Sequence, residues 1–359
     1  MQRWSPPDEW IRVRTIDAHT GGEPFRIITG GLPPVHGNTI LERRRYAKEH
    51  LDHYRRALML EPRGHPDMYG CIVTPPDRSD SDIGVLFLHN EGYSTMCGHG
   101  IIALSKVMVE TGWVDAVSPV TELRIDSPAG QIIAQVHLSE GDMGLPKADP
   151  NPGNAFQQPK VSHVSFFNVP SYVAELDCKI EVEGIGEVQY DLAFGGAFYA
   201  YVNAQPLGIS CNADNARELI EKGMMIKRAV MAQREISHPF DADLGFLYGT
   251  IFVADAEDSS NHSRNVCVFA EGEVDRSPTG TGVSGRLALH YARGEIGIGE
   301  SITIESIIGS TFNGEVTQET KFGGYSAIVP KVEGTAHITG RHEFLIDPAD
   351  PLKTGFFLR

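Results

Sequence analysis

Cysteine is scarce in this sequence, and its spacing does not suit cross-links or metal sites. The 359 residues include five cysteines, an odd number, and none of them form a Cys-x-x-Cys pair. Disulfide frameworks use cysteines in pairs, and zinc sites commonly use closely spaced ones. We therefore expect neither disulfides nor a metal centre. Because free cysteine is usually buried, four of the five are predicted to be small core residues: Cys71, Cys178, Cys211 and Cys267.

Long hydrophobic stretches are also missing. No apolar run approaches the roughly 18 residues that cross a bilayer. Residues 1–7 lack the apolar core of a secretion signal. These two absences predict a cytoplasmic protein with no membrane-spanning segment.

Positive charge is in short supply as well. The chain has 31 Lys and Arg against 47 Asp and Glu, a formal net charge of -16. Nucleic acids and anionic membranes are bound by basic faces, and no segment here offers one. We therefore expect neither as a partner, whereas a small zwitterionic or cationic ligand is compatible with the charge.

The length and composition of the chain are those of a folded globular protein. Apolar residues make up 41% of the sequence, which is typical of globular proteins. A chain of 359 residues is too long for one ordinary core. Two domains are therefore predicted.

The segment Met96-Cys97-Gly98-His99-Gly100 connects an apolar run at 85–88 to a predicted helix over about 99–111, which Gly112 should end. At the start of a helix, unpaired N–H groups and the positive end of the dipole favour a thiolate. The sequence therefore predicts that Cys97 ionises more readily than a free thiol.

A second segment, Asp275-Arg276-Ser277-Pro278-Thr279-Gly280-Thr281-Gly282, repeats this plan. It follows an apolar strand at 266–269 and precedes a helical pattern over about 282–292. Thr279 takes the place of the cysteine. The pairing of a thiol with a hydroxyl is therefore the feature that should decide the chemistry.

A turn motif also occurs twice. Thr20-Gly21-Gly22-Glu23-Pro24-Phe25 aligns with Phe194-Gly195-Gly196-Ala197-Phe198-Tyr199 at an offset of 174 residues, and Cys97 aligns with Thr279 at an offset of 182. Two such similar offsets predict two copies of one α/β unit. Each copy should wrap a sheet around its central helix, with the site in the cleft between them.

The predicted first half covers residues 1–182 and carries Cys97, and the second covers 183–339 and carries Thr279. A strand at 335–346 should return to the first half, so residues 340–359 are assigned to it. Each half is also predicted to have one polar helix, at 39–60 and at about 212–235. A Pro- and Gly-rich connector is predicted at 144–159.

Two helix N-termini that face each other would surround one point with backbone N–H groups, which is an arrangement that binds a carboxylate. These groups belong to Gly98, His99, Gly280 and Thr281. Glycine is expected there because a β-carbon would keep a ligand away from the backbone. Cys97 and Thr279 would then lie on opposite faces of the adjacent carbon, where a thiolate could remove the α-proton.

Together with the two Gly-Gly turns and Glu61-Pro62-Arg63-Gly64-His65, these segments resemble the proline racemase family over essentially the whole chain. The resemblance implies a diaminopimelate-epimerase-like fold of two α/β halves, commonly a homodimer, with no cofactor. It also implies that Cys97 is a catalytic base, that His99 and Asp275 contact a ring nitrogen, and that the four N–H groups above hold the carboxylate.

Thr279 departs from the racemases and epimerases of the family, which carry a second cysteine there. A threonine hydroxyl does not exchange an α-proton as a thiol does, so inversion by two bases is not expected. The Cys97 and Thr279 pair instead resembles family members that dehydrate trans-3-hydroxy-L-proline. The α-hydrogen and the 3-hydroxyl of that substrate share one face, so one group can remove both. The product after tautomerisation would be Δ1-pyrroline-2-carboxylate.

Two other functions remain open at this point. An epimerase of proline or 4-hydroxyproline would need a second base that the sequence does not identify. A non-catalytic imino-acid binding protein would keep the cleft without needing Cys97. Solvent deuterium separates the three, because an epimerase labels its substrate at Cα, a dehydratase forms imine, and a binding protein does neither.

Overall fold

The computed structural model describes residues 4–139 and 159–358, and its elements form two matching series. The first contains β1 (Ile11–Thr20), β2 (Glu23–Gly30), α1 (Ile40–His50), α2 (Asp52–Met59), β3 (Tyr69–Thr74), β4 (Ile83–His89), β5 (Tyr93–Ser94), α3 (Gly98–Glu110), β6 (Val120–Ser127), β7 (Gly130–Leu138) and β8 (Val161–Phe167). The second contains β9 (Ser171–Val182), β10 (Gly186–Phe194), β11 (Phe198–Asn203), α4 (Ala216–Gln233), β12 (Leu247–Ala254), β13 (Ser263–Phe269), β14 (Glu273–Val274), α5 (Gly280–Ala292), β15 (Ser301–Glu305), β16 (Thr311–Phe322) and β17 (Tyr325–Gly334). The strand β18 (Ala336–Ile346) follows, and short 3-10 helices lie at Gln205–Leu207, Ala213–Asn215 and Ala242–Leu244.

Strand pairing repeats from one series to the other. In the first, β2 pairs with β3 in parallel and β4 pairs with β6 in parallel, while neighbouring hairpins are antiparallel. In the second, β11 with β12 and β13 with β15 are the parallel pairs. The repeat predicted from the sequence offsets is therefore present in the sheet.

The two series join into one sheet of 18 strands. Strand β17 pairs with both β8 and β9, and β9 pairs with β10 across residue 182. Because the sheet runs on through this hairpin, strand pairing does not mark a boundary between independently folding units. The division at residue 182 stays a prediction.

Two helices lie at the centre of the fold. In α3 every residue except Glu110 is buried, and in α5 the buried part runs from Gly280 to Leu289. A helix that is buried all round must be enclosed by other elements, as predicted. Both helices begin slightly earlier than expected, and the chain leaves each through a glycine with positive φ, Gly112 at 73° and Gly294 at 70°.

The polar helix predicted at 39–60 is two helices. The chain turns at Leu51, whose φ of -117° and ψ of 6° are not helical. Leu51 and Leu58 are both buried in a second, smaller apolar cluster beneath α1 and α2. The turn lets both side chains reach that cluster. In the other half α4 is continuous for 18 residues and follows a 3-10 turn that Asn212 caps.

The predicted return strand is confirmed as β18, which pairs antiparallel with β1 from Ile11 to Thr20. The predicted connector at 144–159 lies outside the described residues except for its last position. Two long strands were not predicted, β9 and β16. In each strand a largely exposed stretch with charged residues, at 175–177 in β9 and 318–321 in β16, interrupts the apolar alternation that marks a strand.

Candidate active site

The N-termini of α3 and α5 meet at the centre of the molecule. A β-carbon built on Gly98 would lie 2.6 Å from the Cα of Gly280, and one built on Gly280 would lie 2.7 Å from the Cα of Gly98. Both distances are far below an ordinary carbon–carbon contact of about 3.5 Å. These glycines are therefore needed for the two helices to approach each other, in addition to the ligand access for which the sequence predicts them.

Cys97 is the N-cap residue of α3. Its backbone is extended, and its Sγ accepts a hydrogen bond from the N–H of Gly100 at 3.2 Å. The ring of His99 lies beside it, with Nδ1 3.3 Å from Sγ. The carbonyl of His99 accepts a hydrogen bond from Thr20 at 2.9 Å, and its ring packs edge-on against Phe25. The thiol and the imidazole are thus fixed as a pair.

The charge state of this pair differs from the sequence prediction. Complete burial raises the pKa of the Cys97 thiol well above its usual value, and the hydrogen bond from Gly100 only partly offsets this. Burial also lowers the pKa of His99 to about 3. The helix N-terminus does stabilise the sulfur, but removal from water is the larger effect. At neutral pH Cys97 is therefore a thiol beside an uncharged imidazole, and the predicted easy ionisation is wrong for this arrangement.

The second segment is held by its own side chains. The N–H of Ser277 donates to Asp275 Oδ1 at 2.7 Å, and the N–H of Thr279 donates to Ser277 Oγ at 3.1 Å. Burial raises the pKa of Asp275 to about 6, against the opposing hydrogen bonds from Ser277. Asp275 is therefore a carboxylate at neutral pH and is poised to accept a hydrogen bond from a cationic group.

Thr279 occupies the N-cap position of α5 without acting as a cap. Its φ is 66° and its ψ is 96°, and its side chain makes no capping hydrogen bond. Such a positive φ is unusual for a β-branched residue and costs energy. The hydroxyl Oγ1 is buried and has no hydrogen-bond partner among the described residues. A simple capping role is therefore excluded. The hydroxyl lies beside the Asp275 carboxyl and the Cys267 thiol, whose pKa values it acts to lower, and it faces the cavity that a substrate would enter.

All seven residues singled out by the sequence line one cavity at this point: Cys97, Gly98, His99, Asp275, Thr279, Gly280 and Thr281. The cavity volume is only about 20 Å³, which is room for roughly one water molecule. A ring-shaped substrate therefore requires the surrounding groups to move apart.

Six further residues line the cavity and were not predicted as site residues: Tyr69, Met96, Tyr199, Tyr248, Cys267 and Phe269. The hydroxyls of Tyr69 and Tyr248 lie 3.0 Å apart, and that of Tyr199 lies 2.7 Å from Thr281 Oγ1. One signal was available, because the pair Tyr69-Gly70 recurs as Tyr248-Gly249 with an offset of 179 residues. That offset falls between the two already found.

The Gly-Gly turns connect the halves at the site. Thr95 donates a hydrogen bond to the carbonyl of Gly196 at 2.7 Å, which joins the first active segment to the turn of the second half. In the other direction the N–H of Arg276 donates to Glu23 Oε2 at 2.7 Å. Glu23 is fully buried, and burial raises its pKa well above the usual value, with the nearby Asp275 carboxylate adding to the effect.

No group of three or more His, Cys, Asp or Glu residues suited to holding a metal ion occurs within residues 4–139 and 159–358. No helix within these ranges is long and apolar enough to span a membrane. All five cysteines are free and buried. Cys267 is nevertheless more than the small core residue predicted, since its thiol also lines the cavity.

Comparison with known proteins identifies the group to which this architecture belongs. The proline racemase family model matches residues 15–357. The chain belongs to this family. The fold predicted from the sequence, with two α/β halves and a cleft between them, is confirmed by its structural neighbours.

Two relatives of similar identity bear names for different activities. A trans-3-hydroxy-L-proline dehydratase of Colwellia psychrerythraea is 48% identical over 100% of this chain and 97% of the relative. A 3-hydroxyproline 2-epimerase of Burkholderia multivorans is 44% identical over 97% of this chain and 98% of the relative. The crystal structure of a hydroxyproline epimerase from Agrobacterium vitis, with bound trans-4-hydroxy-L-proline, superposes with a TM-score of 0.87 at 30% identity, covering 97% of this chain and 96% of that one.

Proposed function

We propose that this protein dehydrates trans-3-hydroxy-L-proline to Δ1-pyrroline-2-carboxylate. The observation that carries the proposal is Thr279, a non-ionisable group placed in the cavity together with Cys97. One acid/base group suffices for elimination on one face of the ring, whereas inversion needs one on each face. Several relatives at 43–48% identity are named trans-3-hydroxy-L-proline dehydratase.

We assign the substrate carboxylate to the N-termini of α3 and α5. The first N–H groups of a helix have no partner within the helix and carry its positive end. Because the two helices touch at Gly98 and Gly280, their free N–H groups point to a common region. The unpartnered hydroxyl of Thr279 lies there too and is free to donate to the substrate.

The ring nitrogen is assigned to Asp275 and His99. A carboxylate with a pKa of about 6 is ionised at neutral pH and attracts the secondary ammonium of an imino acid. His99, whose pKa is about 3, stays uncharged and accepts a hydrogen bond. The ammonium also brings positive charge close to Cys97, which favours loss of the thiol proton to water as the substrate enters and leaves the thiolate in the bound complex.

Reaction then proceeds on the face occupied by Cys97. The thiolate takes the α-proton, the C–H electrons form the Cα–Cβ double bond, and the C3–O bond breaks. The proton now on sulfur passes to the departing hydroxide, so water leaves and the thiolate is restored. The enamine tautomerises to the cyclic imine. Atoms and charge balance without a second acid/base group.

One second candidate is favoured by a specific observation. Cys267 is a thiol that lines the cavity near Thr279, and it could act as the second acid/base of a 3-hydroxyproline epimerase, the name borne by the Burkholderia multivorans relative. Its pKa is raised well above the usual value by burial. Burial raises the pKa of Cys97 in the same way, but the N-terminus of α3 is there to stabilise its thiolate, whereas Cys267 lies within β13, so we place this function second.

The test is incubation with trans-3-hydroxy-L-proline, trans-4-hydroxy-L-proline and L-proline in D2O, followed by NMR at Cα. Dehydration predicts imine from the first compound alone, with little deuterium in the substrate that remains. A Cys267→Ala variant serves as the matched control, since it should keep the activity. Inverted, deuterated substrate formed faster than imine, and abolished by Cys267→Ala, would overturn the proposal in favour of the epimerase.

We also propose that the protein works as a homodimer in the cytoplasm and without a cofactor, as resemblance to the family suggests. The net charge of -16 supports a small ligand rather than nucleic acid or an anionic membrane as its partner. Light scattering during size-exclusion chromatography tests the dimer. A mass of one chain, 39.3 kDa, would contradict it.

A further inference from the structure

Thr279 is held in its unusual conformation by a buried polar network that begins at its neighbour. The side-chain amide of Asn265, which is 0% exposed, donates to the carbonyl of Pro278 at 3.2 Å. Its oxygen accepts from Arg286 Nη1 at 2.9 Å. The peptide that leads into Thr279 is thus tied to the guanidinium of a residue on α5.

Arg286 is itself fixed on every side. Its Nη2 donates to Ser263 Oγ at 3.0 Å and to His290 Nε2 at 3.0 Å. His290 in turn contacts Glu295 through Nδ1. No carboxylate of the described residues lies within 4 Å of Arg286, so its charge is stabilised by neutral acceptors instead. Burying a guanidinium that has no carboxylate partner destabilises the folded state. A role for Arg286 in positioning the turn would explain why it is buried here.

The other half has no such network at the matching positions. Arg286 is the seventh of the 13 residues of α5, and the seventh of the 13 residues of α3 is Leu104. Strands β13 and β4 can be aligned through the matching residues Gly249 and Gly70, which pair with Phe269 and Leu88. Asn265 lies four residues before Phe269. The position four residues before Leu88 is Gly84. Glycine and leucine therefore replace the polar pair behind Cys97.

The backbone explains the difference between the halves. Cys97 has an ordinary extended backbone with φ of -144°, and its sulfur is held by Gly100. Thr279 has φ of 66° and a hydroxyl without a partner. A strained residue persists only where its surroundings determine its conformation. The polar network therefore occurs in the half whose turn holds the strained residue.

We propose that Asn265 and Arg286 are positioning residues that hold the Pro278–Thr279 turn so that the Thr279 hydroxyl faces the substrate. The proposal rests on the proposed function in one respect, namely that the substrate binds beside Thr279. Neither residue lines the cavity. Both act through the peptide between Pro278 and Thr279.

The kinetic test compares Asn265→Ala and Arg286→Met with Thr279→Val, which keeps the shape but lacks the hydroxyl. Each single variant should raise KM about tenfold, the size of one buried hydrogen bond. The double variant Asn265→Ala/Thr279→Val should be no worse than either single one, because both changes remove the same contact. Arg286→Lys should restore part of the affinity. Additive losses would contradict the proposal.

A matched control separates positioning from stability. Arg264 is a second buried arginine, the neighbour of Asn265 on β13, but it pairs with Glu305 at 2.6 Å and has no hydrogen bond to the turn. Arg264→Met should lower the melting temperature and the amount of active enzyme while leaving KM unchanged. If it raises KM as much as Arg286→Met does, the network has only a structural role.

A final NMR measurement on the free protein does not depend on the substrate. In protein labelled at threonine methyl groups, the Thr279 methyl resonance, assigned with Thr279→Val, should shift or broaden in Asn265→Ala and stay in place in Arg264→Met. An unmoved Thr279 resonance in Asn265→Ala overturns the proposal whatever the activity. A moved resonance in an enzyme that does not dehydrate trans-3-hydroxy-L-proline would instead leave the positioning role standing and refute the proposed function.

Discussion

The contact between the two helix N-termini makes a sharp prediction for Gly98→Ala. The added β-carbon would lie 2.6 Å from the Cα of Gly280 and 3.1 Å from Phe166 Cζ. The first of these atoms is backbone and cannot rotate away. An ordinary carbon–carbon contact is about 3.5 Å, so α3 and α5 must separate by about 1 Å. The N–H groups that hold the carboxylate would then no longer be aligned with Cys97 and Thr279 on the two faces of the substrate.

A misplacement of about 1 Å in an active site costs on the order of a hundredfold in rate. We therefore expect kcat/KM of Gly98→Ala to fall about a hundredfold, or about 2.7 kcal/mol of barrier. The assay is imine formation from trans-3-hydroxy-L-proline, read together with the melting temperature. Alanine is a better helix former than glycine, so much of the fold should survive.

Gly92→Ala is the matched control, because a β-carbon at Gly92 has no atom within 4 Å among its described surroundings. That variant should retain the activity of the unmodified enzyme. If Gly98→Ala is also within threefold of it, the helices are not this close in the working enzyme. The reasoning that places one substrate between them would then be refuted.

Four further predictions follow from the site. Cys97→Ser should abolish dehydration with little change in melting temperature, and activity retained within about tenfold, only ~1.4 kcal/mol, would remove Cys97 as the base. Thr279→Cys should create deuterium exchange with inversion at Cα of L-proline, as seen by NMR, while dehydration persists in part; a variant with no exchange counts against opposite placement of the two positions. Activity as kcat/KM should fall as pH drops through about 6, the pKa to which burial raises Asp275, and Asp275→Asn should lack this limb. Burial raises the pKa of Glu23 in the folded protein, so stability is lost as pH rises from the unfolded value toward the folded one; the melting temperature of Glu23→Gln minus that of the unmodified protein should therefore increase with rising pH, and a difference that decreases would contradict this.

The sequence revealed those parts of the site that depend on chain direction and periodicity. Both central helices, the return strand and seven of the thirteen residues that line the cavity were predicted, since helix starts and repeat offsets can be read locally. Burial could not be read in the same way. The helix N-terminus at Cys97 predicts an easily ionised thiol, but the packing of two halves around it has the larger effect and opposite sign.

Residues that act across the two halves were also beyond local patterns. The hydroxyls of Tyr69 on β3 and Tyr248 on β12 meet across the halves, although β3 pairs with β2 and β4 and β12 pairs with β11 and β13. Within the second half, the hydrogen bond from Asn265 to the carbonyl of Pro278 joins positions that no helix or strand period connects. The positive φ of Thr279 was hidden for a different reason, because threonine is a common helix cap and so gives no sign that its backbone is strained.

The pairing of β18 with β1 constrains the order in which this protein can fold during synthesis. Strand β1 is made early, yet its partner spans Ala336–Ile346 and leaves the ribosome only after the whole second series. Until then one edge of the first half is open, and an unpaired strand edge invites pairing with other chains. Nascent chains that stall before residue 336 should therefore depend on chaperones, whereas moving the β18 segment in front of β1 by circular permutation should relieve that dependence.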